Sequence, residues 1–224
     1  MIHYDKPSQL LAVGLSAIAG YVDAVGFLYL GGYFASFMSG NSTRFAVGLA
    51  LERPEAGIAG TLVGTFVLGV MLGAFTSYVA GTRRPAAVLA LVTLLLAIAA
   101  TLHQSGQDRP AVIAMVLAMG TENAVFQRNG DVSIGLTYMT GTLVKFGQRL
   151  TGALLGRNRW SWLPYAMLWS GLVVGAYLGA TIYPYLQLGA LWVAVAAALF
   201  LTLTVWAMPQ LLGEADLGHV TPLG

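Results

Sequence analysis

The chain has 224 residues, of which 57% are hydrophobic and only 9% charged. Soluble domains carry about 25% charged residues, so this balance excludes a soluble globular protein, and a net charge of +2 gives no basis for nucleic-acid binding. The absence of cysteine excludes disulfides, thiolate metal sites and thiol catalysis.

Taken in order, the apolar runs 9–30, 57–82, 86–103, 110–127, 162–184 and 188–208 each have transmembrane length. About 20 residues cross ~30 Å of hydrocarbon as a helix. The first run follows Lys6 and contains Ala17-Ile18-Ala19, which resembles a signal-peptide cleavage site. It continues to Leu30, however, and the residues beyond that site recur in mid-chain, so it is read as a span of the mature fold. With the N-terminus inside, the cytoplasmic side receives Lys6, Arg83, Arg84, Arg128, Lys145, Arg149, Arg157 and Arg159, and the outside receives Arg44, Arg53 and Arg109. The positive-inside rule therefore predicts two cytoplasmic termini in a multi-pass protein, with residues 209–224 as a cytoplasmic tail.

Self-comparison shows a duplication. "AGYVDAV" (19–25) aligns with "MGTENAV" (119–125), and "FMSGNSTRF" (37–45) with "YMTGTLVKF" (138–146). Gly69-x-x-Leu72-Gly73-Ala74 recurs as Gly175-x-x-Leu178-Gly179-Ala180. Each copy, about 8–103 and 110–208, holds three spans, an odd number. The second copy must then enter from the opposite side, as in transporters with inverted repeats. The predicted fold is an all-α membrane protein of six transmembrane helices in two inverted three-helix repeats. Each repeat has a short broken or re-entrant helix after its first span. An alternative threads 34–51 and 136–155 through as full spans, giving eight helices and parallel repeats, but its charge bias is weaker.

Polar residues cluster at the duplicated blocks. An ionised Asp23 within the first span would cost at least ~2.5–3.5 kcal/mol, so it needs a partner, water or a proton. Asn123 matches it in the second copy, with Glu122 beside it. These three either face an internal cavity, where one carboxylate binds a proton or cation, or join helices as structural glue. Ser39, Asn41, Ser42 and Thr43 are good N-caps, so 41–52 reads as a short helix. Thr140, Gly141 and Thr142 repeat the pattern. Such helix starts suit polar or anionic ligand groups, or else the two segments lie as capped helices on the bilayer. Arg44 and Lys145 occupy equivalent positions and oppose the helix dipoles. Pairing of Arg44 with Asp23 and of Lys145 with Glu122 is expected, snorkelling to headgroups being the alternative. Glycines at Gly60-Gly64, Gly69-Gly73 and Gly171-Gly175-Gly179 form packing faces, at the repeat interface or a homodimer seam.

At "GYVDAVGF", "FMSGNSTRF", "ENAVFQRNG" and "YMTGTL" the chain resembles the YoaK-like family of small bacterial inner-membrane proteins, over nearly its whole length. The resemblance implies a bacterial cytoplasmic-membrane protein of about six spans and assigns no substrate. Relatives look to carry glutamine more often where this chain has Glu122.

No triad, phosphate loop or metal-ligand spacing supports an enzyme, and no cofactor is expected. The expectation is a secondary transporter in the lipid bilayer for a small polar solute. Asp23 would carry a coupling proton, Asn41 and Thr142 would hold the solute, and Arg44 and Lys145 would set charge preference. A passive channel and a non-transporting scaffold or partner subunit are the alternatives.

Overall fold

A computed structural model describes residues 5–128, 131–132 and 134–208; the expected tail 209–224 lies outside the described residues. Eight α-helices are formed among them: α1 (Lys6–Tyr29), α2 (Met38–Ala50), α3 (Glu55–Ala80), α4 (Arg84–Gln104), α5 (Asp108–Glu122), α6 (Met139–Leu154), α7 (Leu163–Leu186) and α8 (Leu191–Ala207). A short antiparallel pair, β1 (Gln127–Arg128) and β2 (Asp131–Val132), follows α5.

Three helical stretches are long and apolar enough to cross a membrane: Lys6–Tyr29, Glu55–Gln104 and Leu163–Ala207. The second and third are each two helices joined by a short break. Gly81, at φ +56°, ends α3, and Gln187, at φ +51°, ends α7. A single 3-10 turn follows each, and α4 packs back on α3 whereas α8 packs on α4 and α1. Apolar side chains such as Phe75, Tyr177 and Phe200 face outward, the surface a helix presents to lipid tails.

The run 110–127 behaves differently from expectation. The helix stops at Glu122 after 15 residues, a length of about 22 Å at ~1.5 Å per residue. The cause is local. The Asn123 side-chain amide donates to the Met119 carbonyl at 3.0 Å, the acceptor that its own backbone N–H would use in a continuing helix. The amides of Asn123, Ala124 and Val125 turn instead to the carbonyls of Gly120, Thr121 and Glu122.

Glycine sets the closest packing. A Cβ on Gly175 would lie 1.9 Å from the Ala17 carbonyl oxygen, and one on Gly20 would lie 2.1 Å from that of Leu172, so α1 and α7 touch backbone to backbone. Between α3 and α5, Gly69 sits 2.4 Å from the Leu117 oxygen and Gly120 2.3 Å from that of Phe66, measured the same way. These two sets are the same contacts displaced by the repeat offsets. Gly69 and Gly73 of α3 and Gly171, Gly175 and Gly179 of α7 thus meet backbone within the chain, whereas Gly64 of α3 is open.

A cavity between the starts of two short helices

The starts of α2 and α6 face each other across a cavity of about 260 Å³. Ser36, Phe37, Met38 and Ser39 line it from the first copy, and Thr137, Tyr138, Met139, Thr140 and Gly141 from the second, with Phe66 of α3 between them. Helix α2 begins at Met38 rather than 41, and Phe37 and Tyr138 stand at the two N-cap positions. No side chain caps either helix. In α2 the Met38 N–H donates to the Ser36 carbonyl at 2.9 Å, and the rest of each first turn has no side-chain cap to satisfy it.

The expected caps have other partners. The Asn41 amide is fully buried and clamps Phe34, accepting from its N–H at 3.1 Å and donating to its carbonyl at 2.8 Å. The hydroxyls of Ser42 and Thr43 donate back to the carbonyls of Met38 and Ser39 within the helix. Thr142, matching Asn41, is buried in the first turn of α6. Ser39 and Thr140 thus border the cavity, while Asn41 and Thr142 are not among its lining residues.

Behind the cavity wall lies a second polar layer. The Asp23 carboxylate of α1 accepts from the Ser36 amide and the Ser36 hydroxyl, both at 2.6 Å. In the second copy the Thr137 hydroxyl donates to Asn123 Oδ1 at 3.0 Å. Asp23 and Asn123 therefore anchor the two wall residues, Ser36 and Thr137. Self-comparison missed both because the matching block was started one residue late; Ser36-Phe37-Met38-Ser39-Gly40 aligns with Thr137-Tyr138-Met139-Thr140-Gly141.

Glu122 is set apart from these bonds. It is fully buried at the end of α5, and neither carboxyl oxygen has a hydrogen-bond partner. A polar group in that condition is costly unless neutralised.

The expected ion pairs are not formed. Arg44 is exposed, with its guanidinium 4.9 Å from the centre of the Tyr33 ring, and Asp23 has Ser36 instead. A cation over an aromatic face needs no carboxylate to be stabilised. Lys145 is exposed on α6 and does not meet Glu122. One ion pair among the described residues is that of His103 Nδ1 with Asp108 Oδ1 at 2.6 Å, joining the end of α4 to the start of α5. His103, followed by the Tyr29 hydroxyl, holds the Asp108 carboxyl below the usual carboxylate range.

Comparison with known proteins follows the same residues. The family model described as "Protein of unknown function (DUF1275)" matches residues 11–204. The chain is similar to the UPF0700 transmembrane protein RA0705 of Rhizobium meliloti, with 37% identity covering 72% of this chain and 70% of that protein. It is also similar to the UPF0700 transmembrane protein YoaK of Bacillus subtilis, with 29% identity covering 65% of this chain and 68% of that one. No solved structure matches.

Proposed function

The chain belongs to the DUF1275 family, and from that premise we propose that it is a secondary transporter of a small polar solute in a bacterial cytoplasmic membrane. The observation that carries this reading is the pair of uncapped helix starts, one from each copy, converging on one cavity of hydroxyls and aromatic rings. Converging helix N-termini suit a polar or anionic group. The cavity, about 260 Å³, falls just below the ~300–1,000 Å³ of sites for drug-sized ligands, so the solute is small.

In this reading the two copies form inverted repeats, with six spans and both termini cytoplasmic. Two features support it. The glycine contacts of α1 with α7 recur between α5 and α3 at equivalent positions. The Tyr29 ring, at the end of α1, meets His103 edge-on, and His103 bonds Asp108 at the start of α5, so the end of α1 lies by the start of α5. Alternating access follows from rocking one copy against the other about the cavity. The Ser36, Ser39, Thr137 and Thr140 hydroxyls contact the solute, and Asp23 and Asn123 hold the walls behind them.

The test is a thermal-shift screen of purified protein against small polar metabolites, since a ligand bound only by the folded state raises the melting temperature. A hit should lose its shift in Ser39→Trp and Thr140→Trp, which fill the cavity. A shift unaffected by both, or no shift from any compound, goes against the reading.

A further inference from the structure

Glu122 differs from every other polar side chain around the cavity. It ends α5, where the helix carries partial negative charge. Its carboxyl is fully buried, and both oxygens lack a donor. Three polar side chains at this end of α5 are engaged with other groups. The Thr121 hydroxyl bonds the carbonyls of Gly69 and Leu117, the Asn123 amide bonds Met119, and the Thr137 hydroxyl bonds Asn123.

Among the described residues no cation side chain is hydrogen-bonded to it, and Arg84, at the start of α4, has a partner of its own. Helix α5 packs against α1, α3 and α4. On α1 the facing charged group is Asp23, an acid whose carboxylate is bonded to Ser36. On α4, His103 is bound to Asp108 at the opposite end of α5, and on α3 Tyr78 is exposed. A metal ion requires a shell of several oxygen ligands, and here only one carboxyl is unengaged. A proton requires no shell.

We propose that Glu122 is a proton-binding site, filled in the conformation seen and emptied when the end of α5 opens to water. The route to the cavity is short: Glu122 adjoins Asn123, whose Oδ1 holds the cavity-wall hydroxyl of Thr137. Charging Glu122 beside Asp23 drives the end of α5 from α1 and so disturbs that wall. Through this connection solute and proton affect each other's binding reciprocally. The use of the proton rests on the transport reading; the existence of the site does not.

Infrared spectroscopy of protein labelled with ¹³C-glutamate tests it, using no solute and, at first, no variant. The sequence contains Glu52, Glu55, Glu122 and Glu214, and Glu52 and Glu55 are exposed. The expected result at neutral pH is a carboxylic-acid C=O band that shifts with the glutamate label, is lost in Glu122→Gln and persists in Asp23→Asn. Absence of that band from the labelled wild type overturns the site, as does its persistence in Glu122→Gln. Either result leaves the cavity reading standing, whereas a thermal-shift screen without hits goes against the cavity and leaves the proton site intact.

Discussion

Ser36 donates twice to Asp23, once from its backbone N–H and once from its hydroxyl, each at 2.6 Å. With both oxygens accepting, Asp23 has the bonding pattern of an ionised carboxylate. It ties α1 to the wall of the cavity. The matching pair, Thr137 and Asn123, makes one neutral bond of 3.0 Å. Hydrogen bonds to charged groups contribute about 1.5–3 kcal/mol and neutral ones about 0.5–1.5. Ser36→Ala should therefore destabilise the fold more than Thr137→Val, as read by unfolding in mixed detergent. Equal losses would mean that Asp23 accepts as a neutral group.

Asn41 holds the segment leading into α2. Replacing it by alanine leaves the Phe34 N–H and carbonyl without their partner, at about 1–3 kcal/mol for each group left unsatisfied. The expected outcome for Asn41→Ala is a lower melting temperature with the ligand-induced shift retained, because Asn41 does not line the cavity. A normal melting temperature with the shift abolished would place Asn41 in contact with solute.

The glycines divide sharply by environment. Gly175→Ala forces a methyl to 1.9 Å from the Ala17 carbonyl oxygen, and neither backbone can give way without parting α1 from α7. Overpacking costs about 1–3 kcal/mol and more where backbone must move. Gly64 and Gly147 lie in helices with nothing within 4 Å of an added Cβ. Alanine there should be neutral or stabilise by about 0.5–1 kcal/mol. Yield and melting temperature of the three variants check the contrast.

The pair at the other end of α5 gives a pH dependence. Because His103 holds the Asp108 carboxyl low, the folded state binds fewer protons there than the unfolded chain. The stabilisation is complete above the unfolded value of about 3.9 and is lost as pH falls through the lower folded value. Asp108→Asn should flatten the melting-temperature profile below about pH 4. A profile in that range unchanged by the substitution would contradict the pairing.

How far the sequence could be read follows from what repeats and what does not. The glycine blocks at 69–74 and 175–180 matched in sequence, and their contacts match in space because close approach leaves glycine as the only fitting residue. The helix breaks at Gly81 and Gln187 fell within a residue of the end of one apolar run and between two others, so both were close to legible. The caps were misjudged for a physical reason. Ser, Thr and Asn are good caps only when nothing better is in reach; Asn41 had the Phe34 backbone, and Ser42 and Thr43 had carbonyls of their own helix. The isolation of Glu122 left no sequence signal at all, since it depends on tertiary packing that buries both carboxyl oxygens without a donor.

Labelling of Ser39→Cys and Thr140→Cys in vesicles tests the transport reading most directly, because the natural chain has no cysteine to interfere. A membrane-impermeant thiol reagent is applied to right-side-out and to inverted vesicles. The expected result is modification of both positions from each side, slowed from both sides by a compound that raises the melting temperature. Modification from one face only, or from neither, would contradict a cavity that opens to the two sides of the membrane in turn.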